Sequence, residues 1–395
     1  MLKSHTVGGN RVLRGPSTIH AAFAAVGLAV IGLPGVARAA IDPNSGIDFV
    51  TVGAVNNPAW TGGGSNNNRG SVGYVYNIGK FEVTTAQWAE FMNAALDRPA
   101  NDRIPNVIAP FGWGAVSTTP NVAGARRWTV PAGNEMIPTG GISWRTAAIY
   151  CNWLHNNKST DRGAFLSGAY DASTFAYSGS FFTDQLTRSP GARYWIPSLD
   201  EWMKAAHYDP AKSNPDGTTG GWWMFSNSSN TQFIFAPPPS MGGNGTANAS
   251  WNSFTNPGLN PYSVPLGAYV GVTSPWGLYD VAGATGEWTE GYFQSPNEPF
   301  PRERYYEGSQ WASPISFGNQ DRVSAVGGGE FPTYPGASVG LRIASSIPAP
   351  GFGSLGLCVF LLSQQRRTRK AHETSCCRNG SVHYRKRRQV APTAR

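Results

Sequence analysis

Cysteine is scarce in this sequence. Four occur in 395 residues: Cys358 in an apolar stretch, Cys376 and Cys377 in a basic tail, and Cys151 alone in the body of the chain. One thiol excludes an internal disulfide in the body and excludes two-thiol chemistry there. Charge is sparse too, with 14% of residues charged. Histidine is nearly absent from the body, which holds only His155 and His207. These two sit at the ends of separate predicted helices, without the spacing of a facial iron site. No apolar run reaches the ~20 residues of a spanning helix. There is no Gly-x-Ser-x-Gly elbow, no HExxH, no phosphate loop and no repeat at a fixed period.

The two ends carry targeting chemistry. Lys3, Arg11 and Arg14 lead into an apolar stretch from Ala21 to Val36, followed by Ala37-Arg38-Ala39. That order is a signal peptide over 1–39, cleaved after Ala39. Near the other end, Ile347-Pro348-Ala349-Pro350-Gly351 precedes an apolar stretch from Phe352 to Leu362, then Arg366, Arg367, Arg369 and Lys370. At about 1.5 Å per residue the apolar part is shorter than a ~30 Å hydrocarbon core. Residues 347–370 resemble the PEP-CTERM class of sorting signals, which a membrane transpeptidase of the exosortase type cuts. The sequence departs from that class at Ala349, where glutamate is usual. It also continues for 25 residues after Lys370, as a basic disordered tail over 371–395. A weak anchor is the other reading of the same stretch.

These ends also set the net charge. Ten of the 31 basic residues lie after residue 363 and four lie in 1–40, so the 41–363 body keeps 17 basic and 22 acidic residues. A nucleic-acid partner needs a basic face on the folded part, and none is expected. Membrane contact is expected only transiently, through the C-terminal segment.

The body is rich in what breaks regular structure. The chain has 48 glycines and 30 prolines, and all 14 tryptophans fall between Trp60 and Trp311. Helices are few. Thr84 or Thr85 caps one with Trp88, Phe91, Met92 and Leu96 on a face. Ser143 caps a second with Ala147, Tyr150, Cys151 and Leu154 in register. Ser198-Leu199-Asp200-Glu201 is a capping box that opens a third through Trp202, Ala205 and Ala206. Short strands are predicted at 73–81, 194–196 and 341–344, and long loops at 61–70 and 213–260.

Four segments form an ordered set. They are Tyr76-Asn77-Ile78-Gly79-Lys80-Phe81-Glu82-Val83-Thr84; Gly141-Ile142-Ser143-Trp144 with Tyr150-Cys151-Asn152-Trp153-Leu154; Tyr194-Trp195-Ile196-Pro197-Ser198-Leu199-Asp200-Glu201-Trp202; and Trp276-Gly277-Leu278-Tyr279-Asp280-Val281-Ala282-Gly283 with Gly286-Glu287-Trp288-Thr289. Together they resemble the formylglycine-generating enzyme (sulfatase-modifying factor) domain family, over residues 48–346. The resemblance implies an α+β fold related to C-type lectins, loop-rich with little regular secondary structure. One domain then spans 40–346.

The resemblance also implies a chemistry that this sequence departs from. Active members oxidise a substrate cysteine to formylglycine with a copper-holding cysteine pair. That pair lies between a Gly-Gly-Ser-Trp-like strand and a closing Gly-Phe-Arg. Here the strand reads Gly327-Gly328-Gly329-Glu330-Phe331 and the closing motif Gly340-Leu341-Arg342; the eight residues between them contain no cysteine. Copper(I) favours soft thiolate ligands, so no copper is expected. Cys151 reads as helix packing. Glu82 and Glu287, both in family motifs, read as structural.

Calcium is the cofactor the resemblance leaves. Asp280 and Glu287 would give side-chain oxygens, and Gly283 and Thr285 carbonyls. A second site would use Asn248 and the carbonyl of Ala249. Ala284 stands where the family usually has Asn. The expected protein is an exported or surface module of a Gram-negative-type bacterium, with a non-catalytic binding or surface-structural role. Its ligand would be a peptide or a surface polysaccharide, held near 327–334 and nearby tryptophans. The alternatives are a family oxidoreductase with altered chemistry and a structural envelope protein.

Overall fold

The structure is a computed structural model that describes residues 40–249, 256–313, 320–336 and 338–347. The chain separates into two units, Met1–Arg38 and Ala39–Arg395, and all described residues belong to the second. The signal peptide, nearly all of the sorting segment and the basic tail lie outside the described residues.

Strands β1 (Ala40–Ile41), β2 (Asp48–Val52) and β3 (Tyr76–Gly79) precede helix α1 (Thr85–Leu96). A ribbon of β4 (Val116–Thr118) and β5 (Arg127–Thr129) leads to α2 (Trp144–His155) and the short α3 (Arg162–Leu166). A second ribbon, β6 (Tyr177–Ser178) with β7 (Phe181–Phe182), is followed by β8 (Tyr194–Trp195) and α4 (Leu199–His207). The third ribbon pairs β9 (Tyr208–Ser213) with β10 (Thr219–Trp222). The chain ends in β11 (Gly286–Phe293), β12 (Glu303–Glu307), β13 (Gly328–Glu330), β14 (Val339–Gly340) and β15 (Ala344–Ser345). This is the α+β, loop-rich architecture expected from the sequence. Among the described residues no helix is long and apolar enough to cross a membrane.

Helix starts follow local chemistry. Thr84 caps α1 through its Oγ1, which accepts from the Gln87 N–H at 3.3 Å, while Gln87 Oε1 accepts from the Thr84 N–H at 3.1 Å. Ser143 caps α2 through the Thr146 N–H at 3.2 Å. At α4 the predicted box closes in both directions, Glu201 N–H to Ser198 Oγ at 3.1 Å and Ser198 N–H to Glu201 Oε2 at 2.7 Å. Each such cap stabilises its helix by about 1 kcal/mol. The apolar faces then meet: Trp88 lies 5.1 Å from both Phe91 and Tyr150, and Phe91 lies 5.7 Å from Trp153. Cys151 is fully buried in this core, as its place on the α2 face implied.

Two sheets frame the rest. One has the order β1-β2-β3-β15-β8, antiparallel throughout; the other has the order β13-β12-β11-β14. The strand predicted over 341–344 is in fact two. Val339 and Gly340 pair in parallel with Gly286 and Glu287, whereas Ala344 and Ser345 pair antiparallel with β3 and β8. The chain changes sheet between them, so no single ladder can run through. The 213–260 loop also holds more order than predicted. Asn214-Pro215-Asp216-Gly217 turns the chain, with Gly217 at φ +82°, and folds β10 back on β9. The 61–70 loop stays irregular and is pinned by Asn66, whose Nδ2 donates to the carbonyls of Val323 and Ala325 at 3.3 and 2.6 Å.

Candidate functional site

The carboxylate of Glu287 in the fourth segment faces inward. Glu287 on β11 meets Arg342, which sits in the crossing between β14 and β15. The Arg342 Nε donates to both Glu287 oxygens at 3.0 Å, and Nη2 donates to Oε1 at 2.6 Å. Nη1 and Nη2 also reach the carbonyls of Gly79 and Tyr279 at 2.9 and 2.8 Å. The Trp202 indole donates to Glu287 Oε2 at 2.6 Å. Both charged side chains are fully buried. Burial alone would lower the Arg342 pKa, but the facing Glu287 carboxylate holds it raised.

Glu82 stands beside this pair and accepts from the Thr285 N–H and hydroxyl at 3.1 and 2.6 Å. Burial, then the neighbouring Glu287 charge, pushes Glu82 well above the carboxylate range. Asp280 accepts from the Gly267 N–H at 2.6 Å, and burial pushes its pKa up to about 6. Both Asp280 and Ala284 adopt positive φ, +54° and +45°. That region suits Asn better than Ala, so Ala284 strains the turn where the family usually places Asn.

The residues expected to hold calcium are therefore only partly available. Both Glu287 oxygens face the Arg342 guanidinium, which stands where a cation would sit. The Thr285 hydroxyl and N–H both serve Glu82, and its carbonyl, the expected ligand, is a separate atom. Gly283 and Asn248, assigned to separate ion sites, come together in one parallel bridge. Asn248 Nδ2 donates to the Pro261 carbonyl at 2.8 Å, and its Oδ1 is a buried acceptor with no partner. Asp280 lines a hollow of about 10 Å³, near the size that holds one water. Ala249 is buried beside Asn248. Among the described residues no three His, Cys, Asp or Glu side chains converge. A hard cation takes Asn and carbonyl oxygens as well. Asn248 Oδ1 is the acceptor among the described residues that such a cation could satisfy, and Asp280 the carboxylate beside a small hollow.

The segment that carries thiols in active relatives is a pinned turn here. The Pro332 carbonyl accepts from the Arg145 N–H at the start of α2, at 3.1 Å. Thr333 and Tyr177 share a hydroxyl bond of 2.9 Å. Arg145 is held by Asp184 at 2.7 Å and lies over the Tyr177 ring at 4.8 Å. Phe331 and Tyr334 face outward. The tryptophans expected beside this segment flank a different hollow. Cys151 cannot replace the missing pair: burial pushes its thiol far up, which suppresses the reactive thiolate. His155 and His207 stay apart in role. His155 Nδ1 accepts from the Arg193 N–H at 3.1 Å, and His207 is buried against Trp202 with its pKa lowered by burial to about 3.

The hollow has a volume of about 570 Å³ and is walled by Phe111, Trp113, Tyr262 and Trp311. Phe111 and Tyr262 are 73% and 48% exposed. No charged side chain lines it; the polar lining comes from Asn134, Asn260 and Ser263. It adjoins the pinned turn, since Phe111 packs on Gly141, whose N–H donates to the Val339 carbonyl at 2.9 Å. Sequence reading missed it, because its walls come from four loop stretches without periodicity. The exposed aromatics of Phe111-Gly112-Trp113 were the only sequence signal.

No curated protein matches the chain. Among solved structures it is similar to Treponema denticola variable protein 1, at 16% identity over 76% of this chain and 95% of that one, with a TM-score of 0.41. It is similar to CarF at 17% identity over 76% and 98%, with a TM-score of 0.44. It is similar to PvdO from Pseudomonas aeruginosa at 14% identity over 78% and 98%, with a TM-score of 0.41. The family profile that matches is the sulfatase-modifying factor enzyme 1-like domain, over residues 65–347. That span exceeds half of the chain, and the chain therefore belongs to the sulfatase-modifying factor enzyme 1-like family.

Proposed function

We propose that this chain is an exported, non-catalytic member of its family that binds a ligand in the aromatic hollow. The observation that carries the reading is the pairing of a missing thiol couple with an uncharged, aromatic-walled hollow of about 570 Å³. The one cysteine of the folded body is a core residue, and the turn over 331–336 is tied to α2 with no soft ligand in it. The purified protein is expected to hold no stoichiometric copper and to take up no oxygen with a cysteine-containing peptide. Either activity, at one copper per chain or with turnover, would refute the reading.

Export rests on the sequence of the ends. The signal peptide covers 1–39, the domain 40–346, the sorting segment 347–370 and the tail 371–395. The secreted protein should begin at Ala40, and N-terminal sequencing that finds Met1 on the exported chain would rule this out.

Calcium, when bound, would take the Asp280 carboxylate at one site and Asn248 Oδ1 at a second. Binding to the folded state alone stabilises it by about 2.7 kcal/mol at a hundredfold excess over Kd. A chelator should therefore lower the Tm of the native protein, and lower that of Asn248→Ala by less. A native Tm indifferent to chelator would remove calcium from the reading.

A further inference from the structure

We propose that the hollow walled by Phe111, Trp113, Tyr262 and Trp311 binds an uncharged pyranose, as one residue of a neutral polysaccharide. This rests on the reading of the chain as a binding domain and names the ligand class.

The lining chemistry selects the ligand. Its volume of about 570 Å³ lies within the roughly 300–1,000 Å³ of small-molecule sites. Among the described residues no charged one lines it. A carboxylate, phosphate or ammonium placed there would lose water without gaining a counter-charge, which is costly. That argues against nucleotides, anionic polymers and charged peptide side chains. What the walls offer is aromatic surface. A pyranose has an apolar face of C–H groups, and the negative face of an aromatic ring attracts such a weakly positive surface. Phe111 and Tyr262 present this surface to solvent in the unliganded chain, at 73% and 48% exposure.

Sugar hydroxyls need polar partners as well, because each both donates and accepts. Asn134, Asn260 and Ser263 line the same hollow. The two amides are held in place: Asn134 Nδ2 donates to the Gly114 carbonyl at 2.8 Å, and Asn260 Oδ1 accepts from the Tyr262 N–H at 3.0 Å. The Trp311 indole N–H is buried, without a hydrogen-bond partner among the described residues, so Trp311 contributes its ring to the wall.

The site is also built to stay open. A Cβ on Gly112 would lie 2.8 Å from the Trp311 ring, and one on Gly114 would lie 2.8 Å from the Asn134 Cβ. Only glycine lets these walls approach. Trp311 is further fixed by Tyr262, edge-on at 4.8 Å. A preformed site loses little ordering entropy on binding.

The test uses the full purified protein. The probes are neutral oligosaccharides of glucose, of mannose and of N-acetylglucosamine, with a uronic-acid oligosaccharide and a cysteine-containing heptapeptide as contrasts. Calorimetry and tryptophan fluorescence read the binding. At least one neutral probe should bind saturably and the uronic-acid probe should not. Phe111→Ala and Tyr262→Ala, both at exposed positions, should each weaken binding about tenfold or more. Phe331→Ala, outside the hollow, should leave it within about twofold of the native value.

The assignment fails if no neutral probe saturates, or if binding survives both alanine substitutions. It fails equally if the peptide or the uronic-acid probe binds in this hollow instead, and the binding-domain reading then stands without the sugar. Copper binding or oxygen uptake would overturn the non-catalytic reading whatever the sugars do.

Discussion

Replacing Arg342 with alanine is expected to destabilise the folded chain by about 3–5 kcal/mol, the range for removing one partner of a buried ion pair. The cost comes mainly from what is left behind. Glu287 is left buried without its guanidinium partner. The carbonyls of Gly79 and Tyr279 lose their donors as well. These carbonyls belong to β3 and to the turn before β11, so one guanidinium ties the two sheets together. Arg342→Lys keeps the charge but cannot reproduce a planar fork with four acceptors, and should recover only part of the loss. Arg342→Met with Glu287→Leu removes both charges and should cost less than Arg342→Ala alone. Urea or guanidinium denaturation checks all three. A cost below about 1 kcal/mol for Arg342→Ala would mean that Glu287 is not an isolated buried charge when unpaired.

Arg304 is expected to give the second large effect, about 3–5 kcal/mol for Arg304→Ala. This side chain is wholly buried without a direct carboxylate partner, and burial brings its pKa down to about 10. Its guanidinium lies 3.7 Å over the Trp144 ring and 4.8 Å from that of Phe182. Nη1 donates to the carbonyls of Leu186 and Glu290 at 2.8 and 3.0 Å, and Nη2 donates to that of Gln185 at 2.7 Å. Each buried carbonyl left without a donor costs about 1–3 kcal/mol. A desolvated cation–π contact adds about 2 kcal/mol. These losses are not fully additive, because the 185–186 stretch can relax toward water. Arg304→Lys should fall between native and alanine. Hydrogen exchange at 185–188 should rise in Arg304→Ala before the whole domain opens. A lysine variant as stable as the native chain would sink the argument from the planar fork.

The sequence by itself determined whatever depends on neighbours in the chain. The caps at Thr84, Ser143 and Ser198 were legible because each bonds three residues onward, within one helical turn. Cys151 was legible as core because helical spacing put it on the face of Tyr150 and Leu154. The missing thiol pair was legible because an absence needs no coordinates. The sequence named no partner for Glu82 or Glu287.

Only the tertiary structure decided what distant segments do to each other. Glu287 meets Arg342 across 55 residues, and Thr285 meets Glu82 across 203. No local spacing encodes such pairs, so the guanidinium against the Glu287 oxygens was not legible in the sequence. Likewise the strand over 341–344 split because its two halves found different partners, β11 on one side and β3 with β8 on the other. The aromatic hollow gathers residues from 111–116, 134–137, 260–263 and Trp311, all outside regular helices except the short turn at Pro261–Ser263 and the edge strand at Val116. Loop backbones carry no period from which a face can be read. Folding brought those rings together, and the cysteine that first marked the body of this chain ended as a buried residue of α2.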